Sequence, residues 1–147
     1  MRYTIGKISQ KTGLTTHTLR YYEKEGLLPF VQKNSSGIRV FSENDLGWLS
    51  MIECLKATGM PLKGIKQYID WYREGDTTLS KRLNMFQNQK IYLKQQIKEL
   101  QKHLEKIDYK INLYQEAVKQ GSLEKAENNK ELQKEKHRLF NMKKIQK

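Results

Sequence analysis

The sequence predicts a mainly α chain: a compact, turn-rich lobe over residues 1–75, one long helix over 76–120, and a short polar tail or helix over 121–147. Three observations carry this. Eight of the nine glycines and both prolines of the 147 residues lie before residue 76, so turns crowd into the first half. After residue 75 a single glycine, Gly121, interrupts the chain. Between them, apolar residues recur alternately four and three apart over about 40 residues, the period of a helix that supercoils with another.

In the lobe, Thr4 is placed to cap a first helix over about 5–12, with Ile5 and Ile8 inward. Gly13-Leu14-Thr15 forms a short turn. Thr15 or Thr16 caps a second helix that Gly26 ends. Residues 28–41 hold Pro29, then Asn34-Ser35-Ser36-Gly37, then Ile38-Arg39-Val40-Phe41, which reads as two short strands around a turn. Ser42 followed by Asp45 resembles a capping box and opens a third helix, closed by Gly59. Pro61 suits the first position of a fourth helix reaching about Tyr72.

The long helix carries Leu79, Leu83, Phe86, Lys90, Leu93, Ile97, Leu100, Leu104, Ile107, Ile111, Tyr114 and Val118 on one seam, apolar everywhere except Lys90. At 1.5 Å per residue it spans ~60 Å, more than the width of a 75-residue lobe. Its stripe therefore needs a partner, and the simplest is a second copy of the chain. Tyr92, Tyr109 and Tyr114 are assigned to coiled-coil contacts, and His103 and His137 to solvent. Gly121 stops the helix, and Leu132, Leu139, Phe140, Met142 and Ile145 are scattered through a tail expected to be a marginal helix or frayed.

Charge narrows the function. Lys and Arg number 28 against 16 Asp and Glu, a formal +12. Residues 1–75 hold 11 basic and 7 acidic groups, net +4; residues 76–147 hold 17 and 9, net +8. A polyanionic partner follows, nucleic acid or an anionic surface. No run approaches 18 apolar residues and no signal-peptide core is present, so a cytoplasmic protein with no membrane association is expected. One cysteine, Cys54, and three dispersed histidines offer neither an intramolecular disulfide nor a clustered metal site, and no metal or other cofactor is expected. No nucleophile–base pair, phosphate-binding glycine loop or paired carboxylates stand out, so the chain is not expected to be an enzyme.

Two short helices joined by a glycine turn make a helix-turn-helix. On the second, His17, Arg20, Tyr21 and Lys24 share one face, and Leu19 and Tyr22 the opposite one. The apolar side would pack on Ile5, Ile8 and Leu14, leaving donors suited to base edges and phosphates outside. The ribbon places Lys33, Asn34, Ser35 and Arg39 near a turn, as a wing needs for backbone contacts. A basic recognition face, a basic wing and a dimerising helix together indicate a two-fold DNA site.

The strings Tyr3-Thr4-Ile5-Gly6-Lys7-Ile8, Gly13-Leu14, Thr18-Leu19-Arg20-Tyr21-Tyr22-Glu23 and Gly26-Leu27-Leu28-Pro29 resemble the MerR family of bacterial transcription regulators. So do Gly37-Ile38-Arg39-Val40-Phe41, Asp45-Leu46 and Leu55-Lys56-Ala57-Thr58-Gly59-Met60-Pro61-Leu62. The match runs from residue 1 to about 72 and continues through the coiled coil to about 118. The resemblance implies a winged helix-turn-helix DNA-binding domain followed by a long dimerisation helix forming an antiparallel coiled coil; the antiparallel sense comes from the resemblance alone. It implies a homodimer on a pseudo-palindrome in double-stranded promoter DNA, distorting an over-long spacer, with RNA polymerase at the same promoter. Carried onto this chain, the DNA contacts are Thr16, His17, Arg20, Tyr21 and Lys24 of the recognition helix, Asn34, Ser35 and Arg39 of the wing, and Lys63 at the start of the fourth helix. The dimerisation residues are Leu83, Phe86, Leu93, Ile97, Leu100, Leu104, Ile107 and Ile111.

The signal is less legible. Residues after Val118 are too few for the large ligand domain of drug-sensing members. Asp76, Thr77, Thr78, Gly121 and Ser122 stand where metal-sensing members carry cysteines. Cys54 in the third helix looks similar to the electrophile- and aldehyde-responsive NmlR/AdhR-type branch. It shares a side with Gly47, Ser50, Ala57 and Thr58, has no basic residue one turn away, and lies near the helix C-terminus, which disfavours a thiolate. A thiol sensor and a small semi-buried core cysteine both remain open. A hydrophobic ligand between lobe and coiled coil is the other sensing alternative. Trp48, Tyr68, Trp71 and Tyr72 fit inter-element packing better than a ligand cage. A coiled-coil scaffold with nonspecific nucleic-acid binding is the alternative of another class.

Overall fold

The computed structural model describes residues 1–140; Met142 and Ile145 of the tail lie outside the described residues. Tertiary contacts divide the chain into Met1–Lys90 and Ile91–Lys147.

In the first unit, α1 (Ile5–Thr12) is capped by the Thr4 hydroxyl, which accepts from Lys7 N, and ends at Gly13 with φ +75°. The turn leads to α2 (Thr16–Lys24), where Thr15 is the cap residue and accepts from Thr18 N. Strands β1 (Gln32–Lys33) and β2 (Arg39–Val40) pair antiparallel, with Gln32 opposite Val40 and Lys33 opposite Arg39. Tyr3 bridges to Phe41 through two 2.8 Å backbone hydrogen bonds, tying the N-terminus to the ribbon.

The Ser42–Asp45 capping box is reciprocal and opens α3 (Glu43–Ala57). The buried Asp45 carboxylate accepts from Ser42 N at 2.8 Å. Pro61 stands one position outside α4 (Leu62–Glu74), as its cap residue instead of its first residue, and offers no side-chain cap. A 3₁₀ turn (Asp76–Thr78) precedes α5 (Leu79–Gln120).

The lobe's core gathers Tyr3, Ile8, Leu19, Tyr22, Leu27, Leu28, Phe41, Leu49, Ile52, Met60, Ile65 and Ile69, with Ile5 and Leu14 packed against it. This unit reaches past residue 75 because the first turns of α5 pack on it. Met85 joins the core, and Gln89 Nε2 donates to the Thr58 carbonyl at 3.0 Å. The start of α5 is locked by buried Thr78, whose hydroxyl donates to the carbonyls of Trp71 and Gly75, at 2.6 and 2.8 Å. Arg82 in turn donates to the Thr78 hydroxyl and the Gly75 carbonyl, at 3.1 Å each.

In the second unit, the later part of α5 is joined by α6 (Leu123–Glu127) and α7 (Lys130–Phe140). Tyr109, Leu113, Ala117 and Ala126 form a buried cluster with Leu132 and Leu139 against it. Tyr109 is therefore corrected: it faces Phe140 of its own chain, ring centroids 5.6 Å apart, and is 4% exposed. Up to Phe140 the tail is helical, because its few apolar residues find a complementary face on α5.

Candidate nucleic-acid interface

The second helix presents the two faces its sequence predicts. Leu19 and Tyr22 are each 1% exposed, while His17, Arg20, Tyr21 and Lys24 stand on the exposed side. Thr16 opens the helix half-buried. With nine residues, α2 cannot hold its own conformation; its cap and these two anchors fix it to the lobe. Among the described residues, Tyr22 is also tied by polar contacts. Its hydroxyl donates to Glu53 Oε1 at 2.6 Å and accepts from Lys56 Nζ at 3.1 Å. Burial, then the Glu53 hydrogen bond, push the Tyr22 hydroxyl above its ordinary value; the hydrogen bond with Tyr22 raises Lys56.

The wing residues divide. Ser35 sits exposed at the turn tip. The Asn34 carboxamide accepts from Ser36 N at 2.9 Å and Ile38 N at 3.0 Å, so it builds the turn as well as standing on it. Arg39 is half-exposed and ion-paired with Glu23 of α2. That pair joins the ribbon to α2, and sequence reasoning missed it because the partners lie on different elements. Gly26, at φ +79°, ends α2 close against Lys66: a Cβ there would sit 2.9 Å from Lys66 Cε. Lys63 lies exposed one turn before Lys66, in the first turn of α4.

Cys54 is exposed on α3, beside exposed Gly47, Ser50 and Ala57, which removes the semi-buried core alternative. The aromatic residues stack on one another. Trp48 lies 4.9 Å from Phe30 and 4.7 Å from Tyr72, and Tyr68 lies 5.0 Å edge-on from Phe86. Phe86 thus uses part of its ring inside its own chain. Its remaining surface is exposed, as are Leu83, Ile97, Leu100, Leu104, Ile107 and Ile111; Leu93 is half-buried. Among the described residues no group of three or more His, Cys, Asp or Glu could hold a metal ion. No described helix is long and apolar enough to cross a membrane.

Comparison with known proteins gives this geometry its family. Residues 3–71 match the MerR HTH family regulatory protein model, and residues 46–110 the MerR DNA-binding model. The chain is 46% identical over 123 residues to an HTH-type transcriptional regulator of Haemophilus influenzae, covering 84% of this chain and 91% of that one. It is 36% identical to the regulator AdhR of Bacillus subtilis over 86 residues, 58% of this chain and 61% of AdhR. The crystal structure of HiNmlR, a MerR family regulator lacking the sensor domain and bound to promoter DNA, superposes with TM-score 0.74 at 45% identity, covering 84% of this chain and 98% of that one. A MerR family regulator of Bacillus thuringiensis superposes at 0.66 with 48% identity, over 76% of this chain and 97% of that one. A capped two-helix turn with a basic outer face, a wing tied to it and a long helix beyond therefore belong to a known design: the chain is a member of the MerR family of helix-turn-helix, DNA-binding transcription regulators, in the NmlR/AdhR branch.

Proposed function

We propose that the protein works as a homodimer on a pseudo-palindromic site in double-stranded promoter DNA, where it distorts an over-long spacer so that RNA polymerase can engage. The observation that carries this is the exposed apolar seam of α5. Ile97, Leu100 and Leu104 are 54%, 62% and 62% exposed in one chain, and a seam of this regularity is buried by a second copy. The antiparallel sense is taken from the family. Two lobes would then present two recognition helices to two half-sites.

In this reading Arg20, Tyr21, His17 and Lys24 face the major groove, and Thr16 reaches the backbone at the helix start. Ser35 and Asn34 sit against a phosphate at the wing. Arg39 has a guanidinium edge free to share between Glu23 and DNA. Lys63 meets a phosphate at an α4 N-terminus that no side chain caps. The exposed Cys54 thiol is the proposed sensor of reactive electrophiles or aldehydes, through covalent modification. HiNmlR bound to promoter DNA supports the DNA part of this reading. The action is placed in the cytoplasm, with the DNA.

The test is selection of bound fragments from sheared source-genome DNA with untreated and thiol-alkylated protein. The expected result is enrichment of a promoter palindrome with an over-long spacer. Alkylation should change transcription from it, and Cys54→Ser should abolish that change. Enrichment with no Cys54 dependence removes the sensor role; no enrichment at moderate salt removes the regulator reading in favour of nonspecific binding.

A further inference from the structure

Tyr22 is the recognition helix's one buried residue with a polar tip, and the element it reaches is α3. Tyr22 is 1% exposed, its hydroxyl donates to Glu53 Oε1 at 2.6 Å, and Lys56 Nζ donates to the Tyr22 hydroxyl oxygen at 3.1 Å. Both capacities of the hydroxyl are therefore used. Glu53 is half-buried and Lys56 exposed, so the short bond to the carboxylate is the stronger tie.

The other buried anchor of α2, Leu19, lies one turn before Tyr22 on the same face. Apolar contacts are non-directional, so Leu19 resists withdrawal of the helix but resists rotation about its axis weakly. A phenol–carboxylate hydrogen bond is directional. Rotating α2 would move the Tyr22 hydroxyl away from Glu53 and would swing Arg20 and Tyr21, its neighbours in the same turn, by the same angle. Base readout depends on that angle more than phosphate contact does.

We infer that Glu53, acting through the Tyr22 hydroxyl, is a positioning residue that sets the rotation of the recognition helix and thereby the sequence discrimination of the regulator. Glu53 touches no DNA in this scheme. The inference rests on the reading of α2 as the base-reading helix.

The test compares the full-length wild type with Y22F, E53L and E53Q on two duplexes: the fragment that the wild type enriches from source-genome DNA, and a base-shuffled duplex of equal length. The readout is the ratio of the two affinities, with thermal unfolding followed in parallel. Y22F keeps the ring and loses the donor; E53Q keeps an acceptor oxygen. Y22F and E53L should lower the ratio about tenfold, the worth of one hydrogen bond to a charged group. The affinity for shuffled DNA should stay within about twofold. E53Q should restore most of the ratio. If E53L does not fold, Y22F against E53Q decides the matter.

An unchanged ratio in Y22F overturns the inference. Equal weakening on both duplexes in step with lost folding also overturns it, since that is stability alone. So does an E53Q ratio as poor as that of Y22F. A wild type that does not distinguish the duplexes removes the regulator reading and this one together. A discriminating wild type with discriminating variants removes only this one.

Discussion

Arg20 and Glu23 are three residues apart on one short helix and have opposite fates. Arg20 is exposed, while Glu23 faces the wing and holds Arg39. Arg20→Ala should cost about 1–3 kcal/mol of binding to the selected site and relax specificity there, with nearly unchanged affinity for shuffled DNA; gel-shift titration of both duplexes checks it. Gly26 is held at φ +79°, with Lys66 against it. Gly26→Ala should destabilise the lobe by about 1–2 kcal/mol, chiefly through the left-handed backbone, because the lysine tip is flexible and can yield. A lowered thermal midpoint checks that.

Tyr22 and Lys56 are both raised in the folded state, above ordinary values of 10.0 and 10.5. The folded protein holds those protons more tightly than the unfolded chain does. Their contribution is therefore fully present below pH 10 and fades as the pH rises through the folded-state values. Denaturant midpoints measured from about pH 9 to 11.5 should fall, and less steeply in Tyr22→Phe.

Among elements, the helix boundaries of the lobe were readable because their chemistry is local. Thr4, Thr15 and the Ser42–Asp45 box lie within three residues of the groups they cap. The tail was not readable that way. Leu132 and Leu139 are too sparse to show a helix period, and α7 becomes a packed helix because Tyr109, Leu113 and Ala117 offer a second stripe on α5. That stripe lies beside the seam, about a third of a turn around the helix, and its four-residue spacing was hidden beneath the stronger 3.5-residue pattern. Eleven residues are marginal as an isolated helix, so α7 depends on this face. Leu113→Ala should cost about 2–4 kcal/mol of local stability and speed amide exchange across α7 more than across α2, as hydrogen-exchange mass spectrometry would show.

For the whole molecule, the decisive feature is an apolar seam from Leu79 to Val118 that one chain leaves open. Replacing Ile97 and Leu104 together by Asp should yield monomers that bind the selected fragment poorly. Sedimentation gives the state, and a variant that stays dimeric would remove the coiled-coil reading. Phe86 is the position where this scale meets the lobe, since its ring already packs on Tyr68 of α4.

Periodicity, caps and turn residues determined the order of helices, the ribbon, the seam and the two faces of α2. Each depends on residues close in the chain, so the string of letters is enough. Contacts between distant residues were decided by the fold: Glu23 with Arg39, Tyr22 with Glu53, Gln89 with Thr58, and the α7 packing on Tyr109. The exposure of Cys54 was settled in the same way, because burial depends on which surfaces neighbouring helices cover, and no local pattern records that.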